Sequence, residues 1–127
     1  MISIKELRIG NAVRKGDEVG TVKMIAEKGF QVDKEDGHTL GNSLWVNFEP
    51  ILITEELLIK VGFEKGEDSG IGEIDYSLEE INVWYDECDF MLKLIWDNYE
   101  IPFDIELKSF HHLQNIVFDL TGKELTI

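Results

Sequence analysis

Between Met1 and Ile53 the hydrophobic and polar positions trade places every few residues, with turn signals at Gly10-Asn11, Lys15-Gly16-Asp17, Lys28-Gly29, Asp36-Gly37 and Gly41-Asn42. Such close punctuation leaves room only for short strands. The intervening segments are Ala12-Val13, Gly20–Ala26, Phe30–Asp33, His38–Leu40 and Ser43–Phe48. The last alternates Leu44, Val46 and Phe48 against Trp45 and Asn47, the period of a half-buried strand. Together they predict a small β-barrel over residues 1–53. Lys34-Glu35-Asp36-Gly37 fits a tight hairpin, because glycine supplies the positive φ such turns need.

Pro50 closes this region, and Thr54 then offers an N-cap with Glu55 and Glu56 where a helix dipole favours acids. The pattern predicts a helix over 54–62 with a stripe of Leu57, Leu58 and Val61, stopped at Gly62, with Phe63 folding back onto it. Glu64–Gly72 is rich in glycine and charge and reads as a mobile loop. Three strands are expected over about 81–108. In them Ile81, Val83 and Tyr85 oppose Asn82, Trp84 and Asp86; Phe90, Leu92, Leu94 and Trp96 oppose Met91, Lys93, Ile95 and Asp97; Ile101, Phe103, Ile105 and Leu107 oppose Pro102, Asp104, Glu106 and Lys108. Their polar face is expected to be solvated and acidic, as in a one-sided antiparallel sheet. Ser109 caps a helix predicted over 109–121, where Phe110, Leu113, Ile116, Val117 and Leu120 recur at helical spacing before Thr121-Gly122. Its apolar stripe is expected on the apolar face of the three strands, and Leu125 with Ile127 as a last edge strand. The fold class is therefore β-rich α+β: a small barrel over 1–53, then an α+β unit over 54–127, either independent or sharing one core. A free strand edge around Ile81–Tyr85 offers a route to a homodimer.

Composition adds two constraints. A chain of 127 residues, 43% hydrophobic with seven Phe, three Trp and three Tyr, has enough apolar mass to fold throughout. Its 12 basic and 26 acidic residues give a net charge of −14, very unevenly spread. Residues 1–49 carry seven bases and eight acids, whereas 50–127 carry five and eighteen. An acidic surface of that kind repels phosphate backbones, so nucleic acid is a disfavoured partner for the second part. The start of the chain lacks a secretion signal, and no apolar run approaches the roughly 20 residues that span a bilayer. The lone Cys88 makes no internal disulfide, and with these features it points to the cytoplasm.

Candidate chemistry is sparse. His111 and His112 with His38 and Asp119 do not form a convincing metal set, since adjacent helix positions point about 100° apart. Cys88 lies in Asp86-Glu87-Cys88-Asp89, where carboxylates disfavour a thiolate. The same acids lack the glycine-centred loop of an EF-hand. Of Trp45, Trp84 and Trp96, Trp84 stands out because Asn82 and Asp86 share its face. A partner surface of Trp84, Asp86, Asp104 and Glu106 is expected, with no catalytic residue, cofactor or metal.

Three blocks carry a resemblance: Lys5-Glu-Leu-Arg-Ile-Gly-Asn11, Ile53-Thr-Glu-Glu-Leu-Leu-Ile-Lys-Val-Gly-Phe-Glu64 and His112-Leu-Gln-Asn-Ile-Val-Phe-Asp-Leu-Thr-Gly-Lys-Glu-Leu-Thr126. In this order, end to end, they resemble a group of small uncharacterised proteins of gut anaerobic bacteria and their prophages. His111-His112 departs from a frequent Val-His there, and Asp119 replaces a small residue. The resemblance implies a phage or mobile-element context and no activity. Leu7-Arg-Ile-Gly, Gly16, Gly20-Thr-Val and Ile25 also resemble SH3-like barrels. The expected function is that of a noncatalytic binding or accessory protein whose partner is a protein. One alternative is an acidic inhibitor imitating nucleic acid through Glu64–Glu106; another is nucleic-acid binding by the first unit through Arg8, Arg14, Lys15, Lys23 and Lys28.

Overall fold

The computed structural model describes the backbone of residues 2–68, 73–79, 81–86, 89–96 and 99–127, and the side chains of these residues other than 67–73, 86–89 and 91–105. The chain forms two compact units, Met1–Leu52 with Ser109–Thr126, and Ile53–Lys108 with Ile127.

In the first unit a 3-10 turn at Ile4–Glu6 leads into β1 (Ala12–Lys15), β2 (Glu18–Ile25), β3 (Phe30–Asp33) and β4 (Thr39–Asn42), antiparallel neighbours in that order. Val13, Val22, Val32 and Leu40 point inward and meet Ile2, Leu7, Phe30 and Phe48 in one core. Each such side chain, fully buried, contributes roughly 1.5–3 kcal/mol. The Phe30 and Phe48 rings pack 5.5 Å apart. A register shift between Val22 and Met24 bends β2 across the sheet. The 34–37 hairpin forms as expected, with the Lys34 N–H donating to the His38 carbonyl at 2.7 Å.

The sheet does not close into a barrel among the described residues. β4 has β3 as its sheet neighbour, while Arg14 and Glu49 exchange two backbone hydrogen bonds, at 3.0 and 2.8 Å, along the outer edge of β1. The strand expected over Ser43–Phe48 is instead a turn. The Asn42 side chain accepts the Leu44 N–H at 2.9 Å, its carbonyl accepts from Trp45 and Val46, and Ser43 Oγ accepts the Phe30 N–H at 2.7 Å. These local bonds hold the backbone out of a ladder. Val46 and Phe48 still reach the core, but Leu44, expected on their face, is exposed.

The last helix, α2 (Phe110–Thr121), belongs to this first unit, not to the sheet that precedes it in the chain. Ser109 Oγ accepts the His112 N–H at 3.3 Å, the Phe110 N–H donates to the Ile51 carbonyl at 2.8 Å, and Gly122 ends the helix in the left-handed region. Leu125 is buried without forming the expected edge strand.

The second unit opens with α1 (Glu55–Lys60), capped by Thr54 Oγ1 on the Leu57 N–H at 3.2 Å. The Phe63 N–H returns to the Leu58 carbonyl, and both side chains are buried. Five antiparallel strands follow in chain order: β5 (Glu64–Asp68), β6 (Glu73–Leu78), β7 (Ile81–Asp86), β8 (Asp89–Trp96) and β9 (Tyr99–Glu106). The segment expected as a mobile loop thus supplies β5, while residues 69–72 lie outside the described residues. β7 is paired on both sides, so no free edge exists at Ile81–Tyr85 for a dimer to use. No helix among the described residues is long and apolar enough to cross a membrane.

Candidate functional site

Of the expected partner surface Trp84, Asp86, Asp104 and Glu106, strand register links Trp84 through Met91 to Glu106. Trp84 stands opposite Asp75 on one side and Met91 on the other, and Met91 opposite Glu106; Asp86 pairs with Glu73 and with Asp89. The side chains of Asp86 and Asp104 lie outside those described. This face is not freely solvated. Asn82 is buried, Trp84 and Asp75 are half-buried, and one carboxylate oxygen of Asp75 and the amide oxygen of Asn82 are enclosed without a hydrogen-bond partner. Glu106 is exposed. The opposite face gathers Tyr76, Ile81 and Val83, all buried, as the alternation requires.

The histidines are dispersed by their surroundings. His38 is exposed and rests on Asp36 at 3.0 Å, whereas His111 is buried, its Nε2 3.4 Å from both Glu6 Oε1 and Ser109 Oγ. Burial pushes the His111 imidazole below its ordinary pKa, outweighing the nearby Glu6 carboxylate, and its Nδ1 has no partner. Ser109 is buried, and its hydroxyl oxygen accepts the His112 N–H at the start of α2. Cys88 lies outside the described residues. Among the described residues no group of His, Cys, Asp and Glu has the proximity to hold a metal ion.

Two of the basic residues considered for phosphate binding are already engaged. Arg8 pairs with Glu124 at 2.8 Å, donates to Asn115 Oδ1 at 3.1 Å and lies 4.0 Å over the Phe118 ring; Arg14 pairs with Glu49. Lys15, Lys23 and Lys28 remain exposed. That is a thin footprint for a nucleic-acid backbone.

The structure singles out a different tryptophan. Trp45 is 86% exposed, in the 43–46 turn, with Leu44 at 60% and Met24 at 57% nearby. Leu44 and Met24 line a depression of about 100 Å³ with Ala26, Lys28, Phe30 and Asn42. Isolated exposed apolar residues are ordinary, whereas Trp45 directly follows Leu44, which shares this depression with Met24. The signal was present in the alternation, which set Trp45 with Asn47 away from Val46 and Phe48. A second surface hollow, at Glu18, Val19, Lys34, Glu35 and Asp36, is walled by the Glu18–Lys34 ion pair and holds no catalytic constellation. No family model, curated protein or solved structure matches the chain.

Proposed function

We propose that this is a noncatalytic binding or accessory protein whose first unit presents an apolar surface, centred on Trp45, to another protein. The observation that carries the reading is the 86% exposure of Trp45 on a turn fixed by Asn42 and Ser43. Holding a large aromatic in water has no benefit for the isolated fold, and a rigid mount lowers the ordering cost of binding. The SH3-like description of this unit is supported by four antiparallel strands followed by a turn and the return of residue 49 to the edge of β1. A phage or mobile-element context rests on the three blocks of resemblance. Affinity capture from host extract tests the function. A stoichiometric protein retained by the wild type and lost with Trp45→Ser supports it; retention unchanged by the substitution, or no partner at all, removes this surface from consideration.

A second reading is favoured by charge alone: the second unit carries 4 basic and 16 acidic residues, a net of −12, a fit for imitating nucleic acid. Capture of a basic host protein that is released by about 0.5 M salt supports this alternative, because contacts between exposed charges are screened over a few Å there. Salt-resistant capture argues against it.

A further inference from the structure

We propose that His111 is a pH-sensitive latch in the first unit: when its buried ring takes up a second proton, the first turn of α2 opens and the ring leaves its site, while the rest of the helix stays docked. The ring stands at the second position of α2, 3% exposed, with Nε2 3.4 Å from both Glu6 Oε1 and Ser109 Oγ. A carboxylate only accepts, so the neutral ring carries its proton on Nε2 and leaves Nδ1 bare. That nitrogen is enclosed and has no hydrogen-bond partner.

A second proton, drawn from solvent, lands on Nδ1 and makes it a donor with no acceptor in an enclosed site, which is the costly state for a buried polar group. It also sets a positive charge among the free N–H groups of a helix start, where the dipole opposes it, and the first turn of α2 has no acid to offset it. Among the described residues, the titratable groups that face the ring are Glu6 from the 3-10 turn and His112 from α2. Glu6 favours the charged ring but is half-exposed, so water weakens its pull, and His112 opposes it. Opening the turn hydrates both ring nitrogens and removes the conflict. The turn hangs on few bonds: Phe110 N–H to the Ile51 carbonyl at 2.8 Å, His112 N–H to Ser109 Oγ at 3.3 Å and Leu113 N–H to the Ser109 carbonyl at 3.2 Å. Beyond it, Gln114 holds the helix to Ala12 and Leu125 at 2.8 and 2.7 Å.

Native-state hydrogen exchange of the full chain, corrected for intrinsic rates and followed at low urea concentrations at about pH 7.5 and about pH 5, reads this opening. At the lower pH the amides of Phe110 and Leu113 are expected to exchange through an opening insensitive to urea and at least about threefold more frequent than at the higher pH. The Val22 amide, bonded to the Asn11 carbonyl at 2.8 Å within the sheet, reports global unfolding by its steep urea dependence. The acid response is expected to vanish in His111→Gln and to grow in Glu6→Gln, which removes the charge that favours the protonated ring. A response that survives His111→Gln, or first-turn amides that exchange only together with Val22, overturns the proposal. Should His111→Gln not fold, Glu6→Gln decides alone: a larger response supports the latch, and an unaltered or smaller one overturns it.

Discussion

At the scale of single residues, the tightest fit is at Gly20 in β2. A Cβ there would lie 2.5 Å from Val32 Cγ1 and 3.0 Å from both the Asp33 carbonyl and Leu40, inside the core of the first unit. Gly20→Ala is expected to destabilise by about 1–3 kcal/mol through overpacking, read as a lower urea midpoint with unchanged slope. His111 gives a pH signature. Its imidazole holds a proton less tightly folded than unfolded, because burial outweighs Glu6 and is reinforced by His112. Its stability contribution is therefore complete above the ordinary histidine pKa of about 6.5 and is lost as pH falls through the depressed folded value. Protonation of the many carboxylates acts in the opposite direction by reducing self-repulsion, so the test is a difference. The stability gap between wild type and His111→Gln should shrink between about pH 7.5 and about pH 5, and a constant gap would refute the argument.

At the scale of elements, α2 is tied by side-chain amides to the opening segment of the chain. Gln114 Oε1 accepts the Ala12 N–H at 2.8 Å, while its Nε2 donates to the Leu125 carbonyl at 2.7 Å and the Gly10 carbonyl at 3.3 Å. Asn115 Oδ1 accepts from Asn11 Nδ2 at 2.7 Å and from Arg8, and its Nδ2 donates to the Glu6 carbonyl at 2.9 Å. Asn11, fully buried, accepts the Arg8 N–H at 2.7 Å. The opening and closing blocks are thus each other's hydrogen-bond partners, which gives Arg8, Asn11, Gln114 and Asn115 a structural reason to be where they are. Gln114→Ala leaves buried backbone groups without partners and is expected to cost about 2–4 kcal/mol, measured by chemical denaturation. A loss below about 0.5 kcal/mol would mean that water replaces the amide.

Across the whole molecule, electrostatics set the conditions of stability. The second unit, at net −12, is held together against its own repulsion. Raising salt from about 0.05 to about 0.5 M shortens the screening length from roughly 14 to roughly 4 Å, and the thermal midpoint is expected to rise. A fall would show that the exposed ion pairs Arg8–Glu124, Lys34–Glu18 and Lys65–Glu55 outweigh the repulsion.

Local pattern was enough for the elements whose ends are chemically marked: the Thr54 and Ser109 caps, the Gly122 stop, the 34–37 hairpin and the alternating strands β7, β8 and β9. It was also enough for the β-rich α+β class and the uneven charge. β5 was missed because its glycine and four charges resemble a loop and its strand state depends on pairing with β6. Ser43–Phe48 was misread because side-chain hydrogen bonds from Asn42 and Ser43 override an alternating pattern. The position of α2 was not legible at all. An amphipathic stripe specifies that a helix needs an apolar partner and does not name it; here the polar seam of Gln114 and Asn115 on residues 6–12 assigns it to the first unit. The exchange of Trp84 for Trp45 as the exposed aromatic has the same origin. Alternation assigns a side chain to a face, but what covers that face is fixed by residues distant in the chain.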